Sequence, residues 1–65
     1  MADQQIIKLP QVEAKTTFSR ATIYRLISKG EFPKQVKLSE RSSGWIKEEV
    51  NNWLENKIKE RDEQL

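Results

Sequence analysis

The side chains of this sequence with the greatest chemical capacity are cations. Arg20, Arg25, Lys29, Lys34, Lys37 and Arg41 stand against only Glu31 and Glu40 between positions 19 and 46. That segment carries a net charge of +4, whereas residues 1–18 sum to zero and residues 47–65 to −2. An arginine can hold guanine O6 and N7 through two hydrogen bonds or pin a phosphate. A neutral start, a basic middle and an acidic end are what a groove-binding surface on a separate support produces. The competing explanation is a solvated face that is basic by chance.

Other chemistries are poorly supplied. The chain has no cysteine and no histidine, so disulfides, the usual zinc sites, a thiol nucleophile and a histidine base are unavailable. Glu48, Glu49, Glu55, Glu60, Asp62 and Glu63 have no nucleophile, ligand set or glycine-rich loop around them. They read as a solvated face that discourages DNA on that side, and no enzyme, metal, cofactor or small-molecule ligand is expected. With 65 residues, 35% of them hydrophobic, and a mean hydropathy of −0.83, the chain makes one domain with a small core. Residues 1–5 and 62–65 are expected to fray. No apolar run approaches a membrane span and no secretory h-region begins the chain, so a cytoplasmic protein is expected.

The elements that must carry the cations follow from pattern. Pro10 suits a first helical turn, which predicts a short helix from Pro10 to Lys15 with Val12 inward and Ala14 beside it. Thr16, Thr17 and Ser19 favour a turn, with Phe18 tucked beneath it. Ser19 is the natural N-cap of a second helix, Arg20 to Lys29, in which Ile23, Leu26 and Ile27 form the apolar stripe. Gly30 is its expected terminating glycine. Two short helices joined by a tight turn fit the helix-turn-helix pattern, which by itself is weak.

Phe32-Pro33 forces an extended path, and Lys34 to Leu38 alternates as a strand, with Val36 and Leu38 on one side and Lys37 on the other. A polar turn from Ser39 to Ser43 and a return strand at Gly44-Trp45-Ile46 complete a two-stranded hairpin, or wing. Lys47 to Glu63 is the longest predicted helix, with Val50, Trp53, Leu54 and Ile58 as its stripe and polar, fraying residues from Lys59. Trp45 and Trp53 lie in register with other apolar residues and are assigned to the core with Phe18, Phe32, Ile23, Leu26, Ile27, Val36, Leu38, Val50 and Leu54.

These placements give a candidate DNA surface. Arg25, opposite the stripe, reads a base or holds a phosphate; Arg20, in the first turn, meets the backbone. Ser19 and Thr22 sit at the same end, where each either contacts DNA or only caps and fills. Tyr24 either donates to a phosphate or is a partly buried ring against the hairpin. Lys34 and Lys37 on the wing, with Arg41, Ser42 and Ser43 at its tip, are backbone binders.

LPQVEAKTTFSRATIYRLISKGEFPKQVKLSERSSGWIKEEVNNWLENKI resembles the AlpA family of small phage-derived transcriptional regulators, itself similar to the DNA-binding domain of MerR regulators and to phage excisionases. The resemblance covers about Leu9 to Arg61, and SRATIYRLISKGEFPK, KLSERSSGW and EEVNNWL are its most specific parts. It implies a mainly α fold with a small β-hairpin, a MerR-like winged helix-turn-helix. The Arg20–Lys29 helix would enter the major groove, and the wing would lie on the backbone or minor groove. The family usually has glycine in the turn where this chain has Thr17, which raises the expectation of a differently built turn.

The expected function is sequence-specific regulation of prophage or mobile-element genes on double-stranded DNA, in a bacterial or phage-encoded protein. Two alternatives stay open: an excisionase-like DNA-bending factor, and an adaptor that presents the last helix to a partner. One short recognition helix reads one half-site, so self-association on adjacent DNA sites is expected. A recombinase or RNA polymerase is the open further partner.

Overall fold

The computed structural model describes residues 5–64. They form β1 (Ile6–Ile7), α1 (Leu9–Thr16), α2 (Arg20–Ser28), β2 (Val36–Ser39), β3 (Ser42–Ile46) and α3 (Lys47–Glu63). The architecture is a mainly α winged helix-turn-helix. The fraying expected of residues 1–4 and Leu65 lies outside the described residues.

Helix α1 starts one residue before Pro10. The Lys8 amide donates to the Gln11 side-chain oxygen at 2.8 Å, which satisfies a backbone donor at the helix start. The helix ends because Thr17 turns left-handed, at φ 63°, with its amide bonded to the Glu13 carbonyl at 2.7 Å. The turn is thus closed by the conformation glycine would favour, adopted here by a β-branched residue. Buried Thr16 braces it: its hydroxyl donates to the Val12 carbonyl at 2.8 Å and accepts from the Phe18 amide at 3.2 Å.

Ser19 caps α2 as its type suggests, accepting from the Thr22 amide at 3.3 Å. At the other end, Gly30 takes φ 73°. Its amide bonds the Ile27 carbonyl at 3.0 Å, and the Glu31 amide bonds the Leu26 carbonyl at 2.9 Å. This pair of bonds is the Schellman arrangement, and it leaves the last carbonyls of α2 satisfied.

The sheet has three strands, not the two expected, in the order β1-β3-β2 and antiparallel throughout. Ile6 pairs with Ile46 and Ile7 with Trp45, so the apolar residues before Pro10 join the wing as an edge strand. The wing turns at Glu40-Arg41, and its register shifts between Lys37 and Ser39. Successive strand residues face opposite sides. Since Trp45 faces the core, Gly44 and its partner Val36 face away from it, while Lys37 and its partner Ser43 lie on the Trp45 side. The expected orientation of β2 is therefore reversed. Leu38 is 47% exposed, Val36 is half-buried, and neither belongs to the buried core.

That core consists of Ile7, Val12, Ile23, Phe32, Trp45 and Val50, with Leu9, Phe18, Tyr24, Leu26, Ile27, Trp53 and Leu54 packed against it. Ala14 is exposed. Trp45 is almost fully buried and donates its indole N–H to the Pro33 carbonyl at 3.1 Å, which ties the α2–β2 link to the sheet. Trp53 sits edge-on to Phe32 and Phe18, with ring centroids 4.9 and 5.9 Å away. The stripe of α3 is thus spent on its own core as far as Leu54, and Ile58 is exposed. The helix continues to Glu63, past Lys59 where its polar sequence suggested fraying.

Candidate nucleic-acid interface

The cap and first turn of α2 gather three of the candidate residues, Ser19, Arg20 and Thr22. Ser19 Oγ and Thr22 Oγ1 lie 3.0 Å apart and share a hydrogen bond, so both hydroxyls help build the helix start. Arg20 lies over the Tyr24 ring at 5.8 Å, and that ring in turn leans on Trp45 with centroids 6.2 Å apart. The stack Arg20–Tyr24–Trp45 therefore runs from an exposed guanidinium to the core. A guanidinium resting on a ring keeps its N–H fork free for a planar anion or base edge. Tyr24 is half-buried, the partly buried ring against the hairpin that its position allowed. Arg25, one residue on, is exposed.

The wing supplies the second group. Lys37 and Ser43 pair across the hairpin, and Arg41 occupies the turn. Because Lys37 and Ser43 lie on the Trp45 side of the sheet, they share that side with Tyr24 and hence with α2. Among the described residues, the ion pairs are Lys57–Glu60 at 3.6 Å and Arg61–Asp62 at 3.0 Å, both on exposed α3. No cation between positions 19 and 46 is neutralised in this way.

A family model described as prophage CP4-57 regulatory protein (AlpA) matches residues 5–58, from just before β1 to Ile58 within α3. The chain belongs to the AlpA family. An uncharacterized protein, ORF88, of Enterobacteria phage P4 is 38% identical over 58 residues, which are 89% of this chain and 66% of the phage protein. The DNA-binding transcriptional activator AlpA of Escherichia coli K12 is 38% identical over 61 residues, covering 85% of this chain and 87% of that protein. The chain spans slightly under two thirds of the phage relative and most of the bacterial one. No solved structure matches it.

Within this AlpA-family fold two basic residues sit where their sequence positions did not suggest. Lys34 lies ahead of β2 and lines an open groove with Val36, Ile46, Glu49 and Trp53, on the α3 side of the hairpin. It is not gathered with the α2 cations by any contact. Lys8, which sequence reasoning passed over, reaches the wing: its ammonium donates to Ser42 Oγ at 2.6 Å and to the Ser43 carbonyl at 3.5 Å. The signal that could have found it was Ile6-Ile7 read as a strand, since pairing with β3 is what carries Lys8 to the hairpin. No helix among the described residues is long and apolar enough to cross a membrane.

Proposed function

We propose that this chain is a sequence-specific, double-stranded DNA-binding transcriptional regulator of prophage or mobile-element genes. Helix α2 enters the major groove, with Arg25 reading a base edge and Arg20, Ser19, Thr22 and Tyr24 fixing the helix N-terminus on the backbone. The wing lies on the adjacent backbone or minor groove through Lys37, Arg41, Ser42 and Ser43, while Lys34 contributes charge from the α3 side.

The observation that carries this reading is the Arg20–Tyr24–Trp45 stack, which holds an exposed guanidinium on the helix face that shares its side of the sheet with Lys37 and Ser43. Membership of a family described as regulatory, and likeness to a relative named as a DNA-binding transcriptional activator, favour the same reading. Genomic fragments bound by the full chain should share a short motif. Affinity for duplexes bearing that motif should fall steeply with salt, by about 0.9 log units per phosphate contact for each tenfold rise. Binding indifferent to salt, or absent for every duplex, would remove this function.

A further inference from the structure

We infer that Lys8 and Ser42 form a seat for a DNA backbone phosphate where the first helix meets the wing. The seat rests on the DNA-binding reading above and adds to it Lys8, a residue from outside both α2 and the hairpin. Strand β1 pairs Ile7 with Trp45, so Lys8 runs on beside β3 towards the wing turn. There its ammonium donates to the Ser42 hydroxyl at 2.6 Å and, at 3.5 Å, to the Ser43 carbonyl. An ammonium has three donors, so one remains for a ligand. The Ser42 oxygen accepts from Lys8, which leaves its own O–H to donate and strengthens it as a donor.

Charge around the seat favours an anion. Arg41 precedes Ser42 directly, while Lys37 and Ser43 face the other side of the sheet. Among the described residues, Lys8 and Arg41 have no carboxylate partner. A cation without counter-charge leaves a positive local potential, which a polyanion neutralises. An exposed lysine ordinarily loses rotamer freedom when it grips a phosphate. Ser42 has already ordered this one, so less freedom is lost on binding. The phosphate is held between the third N–H of Lys8 and the O–H of Ser42.

The test is a salt series, read by fluorescence anisotropy, of the full chain on a labelled duplex of arbitrary fixed sequence. Lys8→Gln keeps a donor towards Ser42 and removes the charge. Its plot of log K against log salt should be shallower than wild type by about 0.9, the value of one phosphate contact. Lys8→Arg should restore the slope, and Ser42→Ala should weaken binding several-fold at unchanged slope. A Lys8→Gln slope equal to wild type would overturn the seat and leave Lys8 as a tether for the hairpin. Lysine acetylation of the unaltered protein gives a check that does not depend on how the variant folds. Lys8 should be protected in the complex, and full reactivity there would also overturn the seat. Wild-type protein that binds no duplex even at low salt would instead bring down the DNA-binding reading, an outcome distinct from an unchanged slope.

Discussion

The indole N–H of Trp53, on α3, donates to the backbone carbonyl of Glu31 at 2.8 Å, just beyond the end of α2. With Phe32 and Phe18 against the same ring, one side chain of the last helix anchors the chain just past the end of α2. Trp53→Ala should therefore cost about 3 kcal/mol, towards the lower end for a large aromatic because the ring is only half-buried. Trp53→Phe should keep most of the packing and lose about 1 kcal/mol with the hydrogen bond. Urea denaturation of both variants measures the difference.

Thr17 offers a gain in stability. A β-branched residue in the left-handed region is strained by about 1–2 kcal/mol, while glycine there returns part of that in unfolded-chain entropy. Thr17→Gly should stabilise the fold by about 0.5–1 kcal/mol, and Thr17→Val should not. Thermal melts of the two variants check this, with DNA affinity expected to stay unchanged because Thr17 is not among the candidate contact residues.

Gly44 is required by close approach and not by its backbone angles. A Cβ at this position would collide with the Ile6 side chain and stand 3.0 Å from the Ile7 carbonyl oxygen. Gly44→Ala should cost about 1–3 kcal/mol as strain and push β1 off β3. Hydrogen exchange should show it first at the Lys47 amide, which is bonded to the Gln5 carbonyl at 2.8 Å in the intact protein.

Leu38 separates the two orientations of β2. At 47% exposure, Leu38→Ser should change stability by no more than about 0.5 kcal/mol. A leucine facing the core, as alternation alone suggested, would cost about 2–5 kcal/mol on truncation to alanine. Denaturant midpoints for Leu38→Ser and Leu38→Ala decide between them.

For the DNA surface, Arg25→Ala should lower affinity for the selected site by about 1–3 kcal/mol and relax preference at one base position. Arg41→Ala should weaken every sequence about equally and flatten the salt dependence by about one phosphate. Competition binding against a panel of single-base variants distinguishes the two patterns. If both variants bind like wild type, the assigned face is wrong.

What could be read from the amino-acid order is what local physics controls. Ser19 as a cap, Gly30 as a stop, the α2 stripe and the acidic start of α3 all depend on neighbours within a turn or two, and all appear where their residue types place them. The misreadings concern partners far apart in the chain. Val36 and Leu38 satisfy a strand pattern equally well on either face, and only the burial of Trp45 on β3 selects which face turns inward. Ile6-Ile7 is too short to declare itself a strand without β3 beside it. Lys8 was invisible for the same reason, since its proximity to Ser42 is created by that pairing.

The central position of β3 also sets an order of assembly. Strand β2 reaches it across the tight Glu40-Arg41 turn, whereas β1 must meet it across most of the chain. Closing the longer loop costs more entropy and is rewarded by only two paired residues, so it belongs late in folding. By that reasoning the hairpin and the helical pair should form first, and β1 should then tie the N-terminal segment to the base of the wing. On opening, the N-terminal strand should therefore be the first element to come away, with its amides exchanging before those of the hairpin.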